Sequence, residues 1–337
     1  MKFIDFFAGI GGFRRGMELA GHECVGFCEF DKFATASYTS MHLLTQEQRE
    51  FLDKMPLKQR QKEILKEEYR NGEWYSNDIR RVYAGDIPKA DCWCFGFPCQ
   101  DISVAGKQLG FQGNRSSLFF RVMYLVGQLE EESKPTYLFI ENVKNLLSVN
   151  GGWDFARLLI EMEQSGYDAE WQVLNSKDFG VPQNRERCFI IGHLRGRSTS
   201  KIFPIEGTDE KNSVSLNLFG CLNGRNSQRD RVYSGDGLAP TISTKPGGNT
   251  EPKVSILFDT SYIYQDGTVY TVWCKKYQCY IAIRKLTPKE CFRLQGWTDD
   301  YFEKAEFVNS DNQLYKQAGN GVTVSVIEAI AKKMEEE

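Results

Sequence analysis

Along the first part of the chain, short apolar runs alternate with stretches whose apolar residues recur every three or four positions. Phe3–Phe7, Glu23–Cys28, Asp91–Phe95, Tyr137–Ile140, Ala169–Leu174 and Arg187–Gly192 are strand-sized and β-branched, aromatic or cysteine-rich. This predicts β-strands. Between them, Phe13–Ala20, Leu118–Leu129 and Trp153–Ser165 carry apolar residues at helical spacing. The alternation predicts an α/β fold with a doubly wound, mainly parallel, Rossmann-like sheet and ligands at the strand carboxyl ends.

The pattern changes twice. From Thr45 to Arg81 both charges are densely mixed, as in KQRQKEILKEEYR, which predicts a solvated helical insertion on the surface. After Arg195 the alternation stops, and glycine, serine, asparagine and threonine become frequent around short β-rich pieces at Val269–Trp273 and Tyr280–Ile283. A second, smaller, irregular β-rich domain is expected over 196–315, with 1–195 and 316–337 forming the first. Val322–Met334 is apolar at helical spacing and needs another element to cover it.

Composition narrows the class. With 41% hydrophobic and 26% charged residues the chain reads as a soluble globular protein. No apolar run approaches the roughly 20 residues of a membrane span. The N-terminus, interrupted by Asp5, reads as a strand and not as a signal peptide, so a cytoplasmic protein is expected. The ten cysteines form no CxxC pair, and there are only three histidines, so neither zinc nor a disulfide framework is expected. A net charge of −3 does not announce a nucleic-acid partner, although Arg195–Lys253 holds a small basic surplus.

Candidate chemistry gathers at strand ends. Asp5-Phe-Phe-Ala-Gly-Ile-Gly-Gly-Phe13 is a strand entering a glycine turn and a helix, a geometry that lets backbone approach a ligand. Arg14 stands where the dinucleotide fingerprint needs its last glycine, which disfavours a nicotinamide enzyme, and no Walker lysine follows. Cys28-Glu-Phe-Asp31 places Glu29 where a carboxylate grips a ribose diol, and Gly85-Asp-Ile87 supplies another carboxylate beside an apolar residue. Together they predict a nucleoside pocket, with Phe30 and Ile87 against adenine and Asp86 on its amine. The run CFGFPCQDIS then sets Cys99 directly after Pro98, a poor place for a packing cysteine.

FAGIGG, GDI, GFPCQ, ENV, QNRER, RKLTPKECFRLQGW and QAGNGV appear in the order found in DNA (cytosine-5) methyltransferases. The chain resembles that family, in its bacterial restriction-modification form, over most of its length; the charged insertion and part of the second domain are excepted. The resemblance implies methyl transfer from S-adenosyl-L-methionine to C5 of cytosine in double-stranded DNA, with the base flipped from the duplex. Cytosine C5 is a weak nucleophile until a thiolate adds to C6 and N3 gains a proton. The resemblance assigns Cys99 as that thiolate, Glu141 as the acid at N3, and Arg185 and Arg187 as steadying cations.

For the cofactor it implies Phe7, Ile10, Gly11 and Gly12, then Glu29, Phe30, Asp86 and Ile87. Pro98, Leu118, Asn320 and Val322 would close the pocket. Gly321 departs from the family's usual serine. For DNA it implies Ser103, Val104, Ala105, Lys107 and Gln108 in a glycine-bearing lid after Cys99. In the second domain, the target-recognition domain of the family, it implies Arg229, Arg231, Tyr233, Ser234 and Thr241. A monomer is expected, and a cognate restriction endonuclease sharing the target site. A tRNA-methylating member of the family and a non-catalytic DNA-binding relative are the alternatives; GFPCQ and the intact Cys99, Glu141 and Arg187 speak against them.

Overall fold

The run KFIDF forms strand β1 (Lys2–Phe6), which enters the glycine turn and helix α1 (Gly12–Leu19), followed by β2 (Glu23–Cys28) and α2 (Lys32–His42). Next come α3 (Gln46–Asp53), α4 (Leu57–Glu63), β3 (Trp74–Ser76), β4 (Cys92–Gly96), α5 (Ser117–Gly127) and β5 (Tyr137–Val143). Helix α6 (Trp153–Gln164) leads into β6 (Tyr167–Asn175) and β7 (Glu186–Leu194). These assignments come from a computed structural model that describes residues 1–97, 117–207, 218–221, 231–234, 237–242, 253–257, 271–274 and 279–335.

The first seven strands form one sheet in the order β3-β2-β1-β4-β5-β7-β6. All neighbours are parallel except β7, which runs antiparallel between β5 and β6. Strand order reverses between β1 and β4, so the crevice for a ligand opens outside their carboxyl ends. Because β7 runs backwards, its first residues, Glu186 and Arg187, come to the same end as the last residues of β5.

Apolar side chains cover both faces of the sheet. Trp93, Phe95, Leu138 and Ile140 pack on one face against Phe119, Val122, Leu158 and Met162 of α5 and α6. Cys92, Cys94, Tyr137 and Phe139 face the other way, toward Phe13 and Met17 of α1.

A second sheet joins β8 (Leu218–Cys221), β9 (Arg231–Ser234), β10 (Lys253–Leu257), β11 (Thr271–Cys274) and β12 (Cys279–Lys285), in the order β11-β12-β10-β9-β8. Helices α7 (Pro288–Arg293), α8 (Asp299–Glu306), α9 (Asp311–Asn320) and α10 (Val324–Lys333) finish the chain. Helix α8 packs on α2, and Phe292, Trp297 and Leu314 share a cluster with Ile10 and Met41. Helix α10 lies on α1, where a Cβ at Gly16 would come within 2.5 Å of Ile327 Cβ. Glycine there is what lets the two helices touch. No described helix is long and apolar enough to cross a membrane.

Two features depart from the sequence reading. The insertion at 45–81 is not only a surface excursion: it contributes β3, the parallel edge strand beside β2. It also supplies Glu73, whose two oxygens accept from Arg14 Nη1 at 2.8 and 2.9 Å. Arg14 also donates to Glu18 at 2.7 Å and to the Tyr38 hydroxyl at 3.2 Å. Helix α2 (KFATASYTSMH) was absent from the sequence reading because it is buried from Ala34 to Met41 and lacks an apolar–polar rhythm. Asp31 caps it, accepting from Phe33 N.

Glu73→Gln should therefore lower the stability of the whole fold. Breaking a buried pair outright costs about 3–5 kcal/mol, and because Glu18 still faces Arg14 we expect about 2 kcal/mol. Urea denaturation measures it, and an unchanged midpoint would mean the insertion is not fastened through this pair.

Candidate active site

Glu141 is the fifth residue of β5, level with Gly96 on β4 and Phe189 on β7. Two positions on, Val143 is level with Arg187, so Glu141 and Arg187 lie diagonally on one face. Arg187 Nε sits 3.0 Å from Glu141 Oε1, and both side chains are largely buried. A Cβ at position 96 would stand 3.0 Å from Glu141 Oε2, so glycine leaves the carboxyl its space. Burial pushes the Glu141 pKa up, and the opposing pull of Arg187 and Arg185 does not cancel it. The result is a carboxyl group that resists ionisation at the carboxyl end of the sheet.

Asn142 was missed in the sequence, although it stands inside ENV. Buried at 1% exposure, it donates from Nδ2 to the Phe97 carbonyl at 3.2 Å. It thereby fixes the backbone where β4 leads into GFPCQ. Cys99 and Pro98, with Ser103, Val104, Ala105, Lys107 and Gln108, lie outside the described residues, as does Arg229.

The glycine turn is strained and tightly held. Phe7 has φ 55°, a left-handed value uncommon outside glycine, and Gly9 and Gly11 have φ 56° and 84°. Glu29 Oε2 accepts from Gly9 N at 2.7 Å and Oε1 from Asp31 N at 2.7 Å, which locks the carboxylate between the turn and the end of β2. Gly12 lies against Val322, whose Cγ2 would be 2.7 Å from a Cβ there. His42, another residue the sequence did not single out, lies 2.9 Å from the Ile10 carbonyl through Nε2. Burial lowers its pKa, so the ring is neutral with its proton on Nε2.

Of the residues assigned to the cofactor, Phe30 is 73% exposed, Asp86 and Asn320 are exposed, and Ile87 and Val322 are buried. Leu118 packs partly buried against the core on the α5 side. Ile10 is buried beside Met41 and Phe292, and its carbonyl is the group that meets His42. Arg185 and Arg187 separate. Arg185 is buried and donates through Nη2 to the carbonyls of Gly319 and Gly321 at 3.2 and 2.7 Å, while Arg187 takes Glu141.

Among the residues assigned to DNA, Arg231 and Ser234 are partly exposed on β9. Tyr233 is only 4% exposed, and its carbonyl accepts from Ser255 Oγ. That burial gives it a packing role in the second sheet. The Thr241 hydroxyl donates to the Asn184 carbonyl at 2.9 Å.

Comparison with known proteins places the chain in a family. The family described as C-5 cytosine-specific DNA methylase matches residues 1–336. The chain is 31% identical to Type II methyltransferase M.HhaI of Haemophilus parahaemolyticus, over 98% of this chain and 93% of that protein. It is 32% identical to Type II methyltransferase M.NlaX of Neisseria lactamica, over 99% and 96% of the two chains. Among solved structures, the S. pombe Dnmt2 methyltransferase superposes with a TM-score of 0.66 at 16% identity, over 99% of this chain and 98% of that one. That last likeness is one of fold. Membership brings with it the general use of S-adenosylmethionine as methyl donor. The chain belongs to the C-5 cytosine-specific DNA methylases and is a DNA (cytosine-5-)-methyltransferase.

Proposed function

We propose that the chain methylates a flipped cytosine in duplex DNA through a covalent bond between Cys99 and C6, with Glu141 as the acid. The observation that carries the reading is the buried Glu141 carboxyl, held 3.0 Å from Arg187 beside the strand that leads into GFPCQ. A thiolate at Cys99 adds to C6 while Glu141 delivers a proton to N3, and C5 becomes an enamine carbon. S-adenosylmethionine, when bound, supplies a methyl group on a positively charged sulfur. The N3 proton then returns to Glu141, and loss of the C5 proton to water with expulsion of the thiolate restores the ring as 5-methylcytosine. Arg187 orients Glu141 and steadies charge at the base, and Arg185 holds the 319–321 turn as a positioning residue.

The cofactor fits the cradle from Phe7 to Gly12. The Gly9 N–H fixes Glu29, leaving its remaining lone pairs for ribose hydroxyls. Phe30 offers an exposed aromatic face and Ile87 an apolar one for adenine; Asp86 would meet its amine, and Pro98, Leu118, Asn320 and Val322 would line the rest.

Residues 1–195 with 316–337 would form the catalytic domain and 196–315 the target-recognition domain, with α7 and α8 as its footing on the first. Within it, Arg229, Arg231, Ser234 and Thr241 are the candidates for guanine edges or phosphates. Ser103, Val104, Ala105, Lys107 and Gln108 would follow the flipped base and its vacated place. Extracting the base costs a few kcal/mol, which these contacts must offset. The enzyme would act as a cytoplasmic monomer, with a restriction endonuclease of the same specificity as its partner in the cell.

A duplex carrying 5-fluorocytosine at the target should trap the wild-type enzyme as an adduct that survives denaturation, since fluorine blocks the final elimination. Cys99→Ser should form none and still bind cofactor; an adduct in that variant would move the nucleophile elsewhere. Bisulfite sequencing of host DNA and RNA after expression should find the new 5-methylcytosine in DNA, at one recurring sequence.

The rate of adduct formation should be bell-shaped in pH. The productive form pairs an ionised Cys99 with a protonated Glu141, whose burial favours the neutral acid, so the rate falls on both sides of an optimum. Glu141→Gln cannot ionise and should lose the alkaline limb, at a rate lower by about 10²–10⁴-fold. Retention of that limb would assign it to another group.

A further inference from the structure

Three stretches distant in sequence meet in one buried chain of hydrogen bonds. Ser176 Oγ and Thr323 Oγ1 lie 2.8 Å apart, Thr323 Oγ1 donates to Gln295 Oε1 at 3.1 Å, and Gln295 Nε2 donates to Gln183 Oε1 at 3.2 Å. Both glutamines are 0% exposed, and Ser176 and Thr323 are 3% exposed. Burying primary amides is costly unless they are hydrogen-bonded, and an apolar pair of the same size would fill the space without that demand. What a bonded amide pair adds is a fixed register between the segments that carry it.

Those segments matter for the reaction. Gln183 lies in the turn between β6 and β7, two residues before Arg185 and four before Arg187. Residues 239–241, in the stretch assigned to target recognition, lie along the same turn. Asn184 N donates to Ala239 O at 2.9 Å, Ala239 N donates to Pro182 O at 2.7 Å, and Thr241 Oγ1 donates to Asn184 O at 2.9 Å. The turn is thus held by the recognition stretch and, through the Gln183 side chain, by Gln295. Behind it, Asn175 Oδ1 accepts from Arg185 N at 2.9 Å, and Ser176 Oγ, whose proton goes to Thr323, lies 3.3 Å from Arg185 O. Gln295 O in turn accepts from Val324 N at 2.9 Å, at the start of the helix that packs on α1.

We propose that Gln183 and Gln295 are positioning residues for methyl transfer: their amide–amide hydrogen bond registers the turn beside residues 239–241 so that Arg187 meets Glu141. The inference rests on the roles given above to Glu141 and Arg187. Neither glutamine touches the reacting atoms. Breaking their link lets the β6–β7 turn shift relative to β5, and a shift far smaller than a side chain is enough to misplace a guanidinium. The 3.0 Å contact is the part of the site most exposed to such a shift, because its two partners sit on different strands.

The test compares wild type with Gln183→Met, Gln295→Met and the double variant, since methionine keeps the volume and removes the amide. Single-turnover methylation of one duplex, binding of S-adenosylhomocysteine and thermal midpoint are measured on each. Each single variant should slow methyl transfer by roughly tenfold or more, the scale at which small misplacements act. S-adenosylhomocysteine affinity should stay near wild type, while each single variant, which leaves its partner amide buried and unpaired, should melt somewhat lower. The double variant should be no slower than the slower single one, because both remove the same link. Wild-type rates in the folded variants would overturn the proposal, and so would losses that multiply. A rate loss that merely follows falling thermal midpoint and falling cofactor affinity would also overturn it, assigning the pair to core stability alone. Failure of wild type to form the fluorocytosine adduct would sink the covalent reading instead, and the methylation rates of the four proteins would still be comparable.

Discussion

The site depends on a carboxyl group kept in a place where carboxyl groups do not ionise easily. Glu141 stands within a seven-stranded sheet, with a glycine on one side giving it room and a guanidinium 3.0 Å away on the other. Two opposed effects meet there. Burial favours the neutral acid and the guanidinium favours the anion, and burial prevails. An acid poised in this way can give up a proton to a ring nitrogen and be left facing a positive charge. The same pairing needs β5 and β7 in fixed register, so catalysis inherits the rigidity of the sheet.

Around that centre the molecule closes on itself. The first helix and the last lie together, and the glycines at 12 and 16 leave Val322 and Ile327 in the space their own side chains would need. His22 carries the seam further, its Nε2 lying 3.2 Å from the Ala331 carbonyl. The turn that would enclose a nucleoside is therefore completed by residues more than three hundred positions away. Arg185, just before β7, braces residues 319–321, next to Val322. The insertion grips the opposite edge through Glu73 and Arg14, so the strained glycine turn is supported on two sides.

Much of this was readable from the sequence, for identifiable reasons. Strands β1, β2 and β4 and helices α1, α6 and α10 lie within about two residues of their expected limits, because each has an unambiguous apolar rhythm. Glu29 and the glycines stand out through turn and strand-end chemistry, whereas Glu141 was singled out only by the family's motif order, ENV following GFPCQ. Helix α2 was not readable, since a helix buried on every side has no polar face to set its period. Strand β3 was hidden within a run of charges, and its three residues are held by β2 and not by their own propensity. The separation of Arg185 from Arg187 was invisible too. Residues two apart share a strand face, but Arg185 precedes the strand and its partners lie in a turn beyond residue 318. Asn142, His42, Gln183 and Gln295 act through partners that only the fold assembles.

The most direct measurement is the protonation of Glu141 itself. Carbon-13 NMR of carboxyl-labelled enzyme, bound to duplex DNA and S-adenosylhomocysteine, with the resonance assigned by its absence in Glu141→Gln, gives the midpoint directly. The account predicts a midpoint above the ordinary value of 4.5. A midpoint at or below it would leave an anion paired with Arg187 and no acid at the base, contradicting the mechanism at its centre.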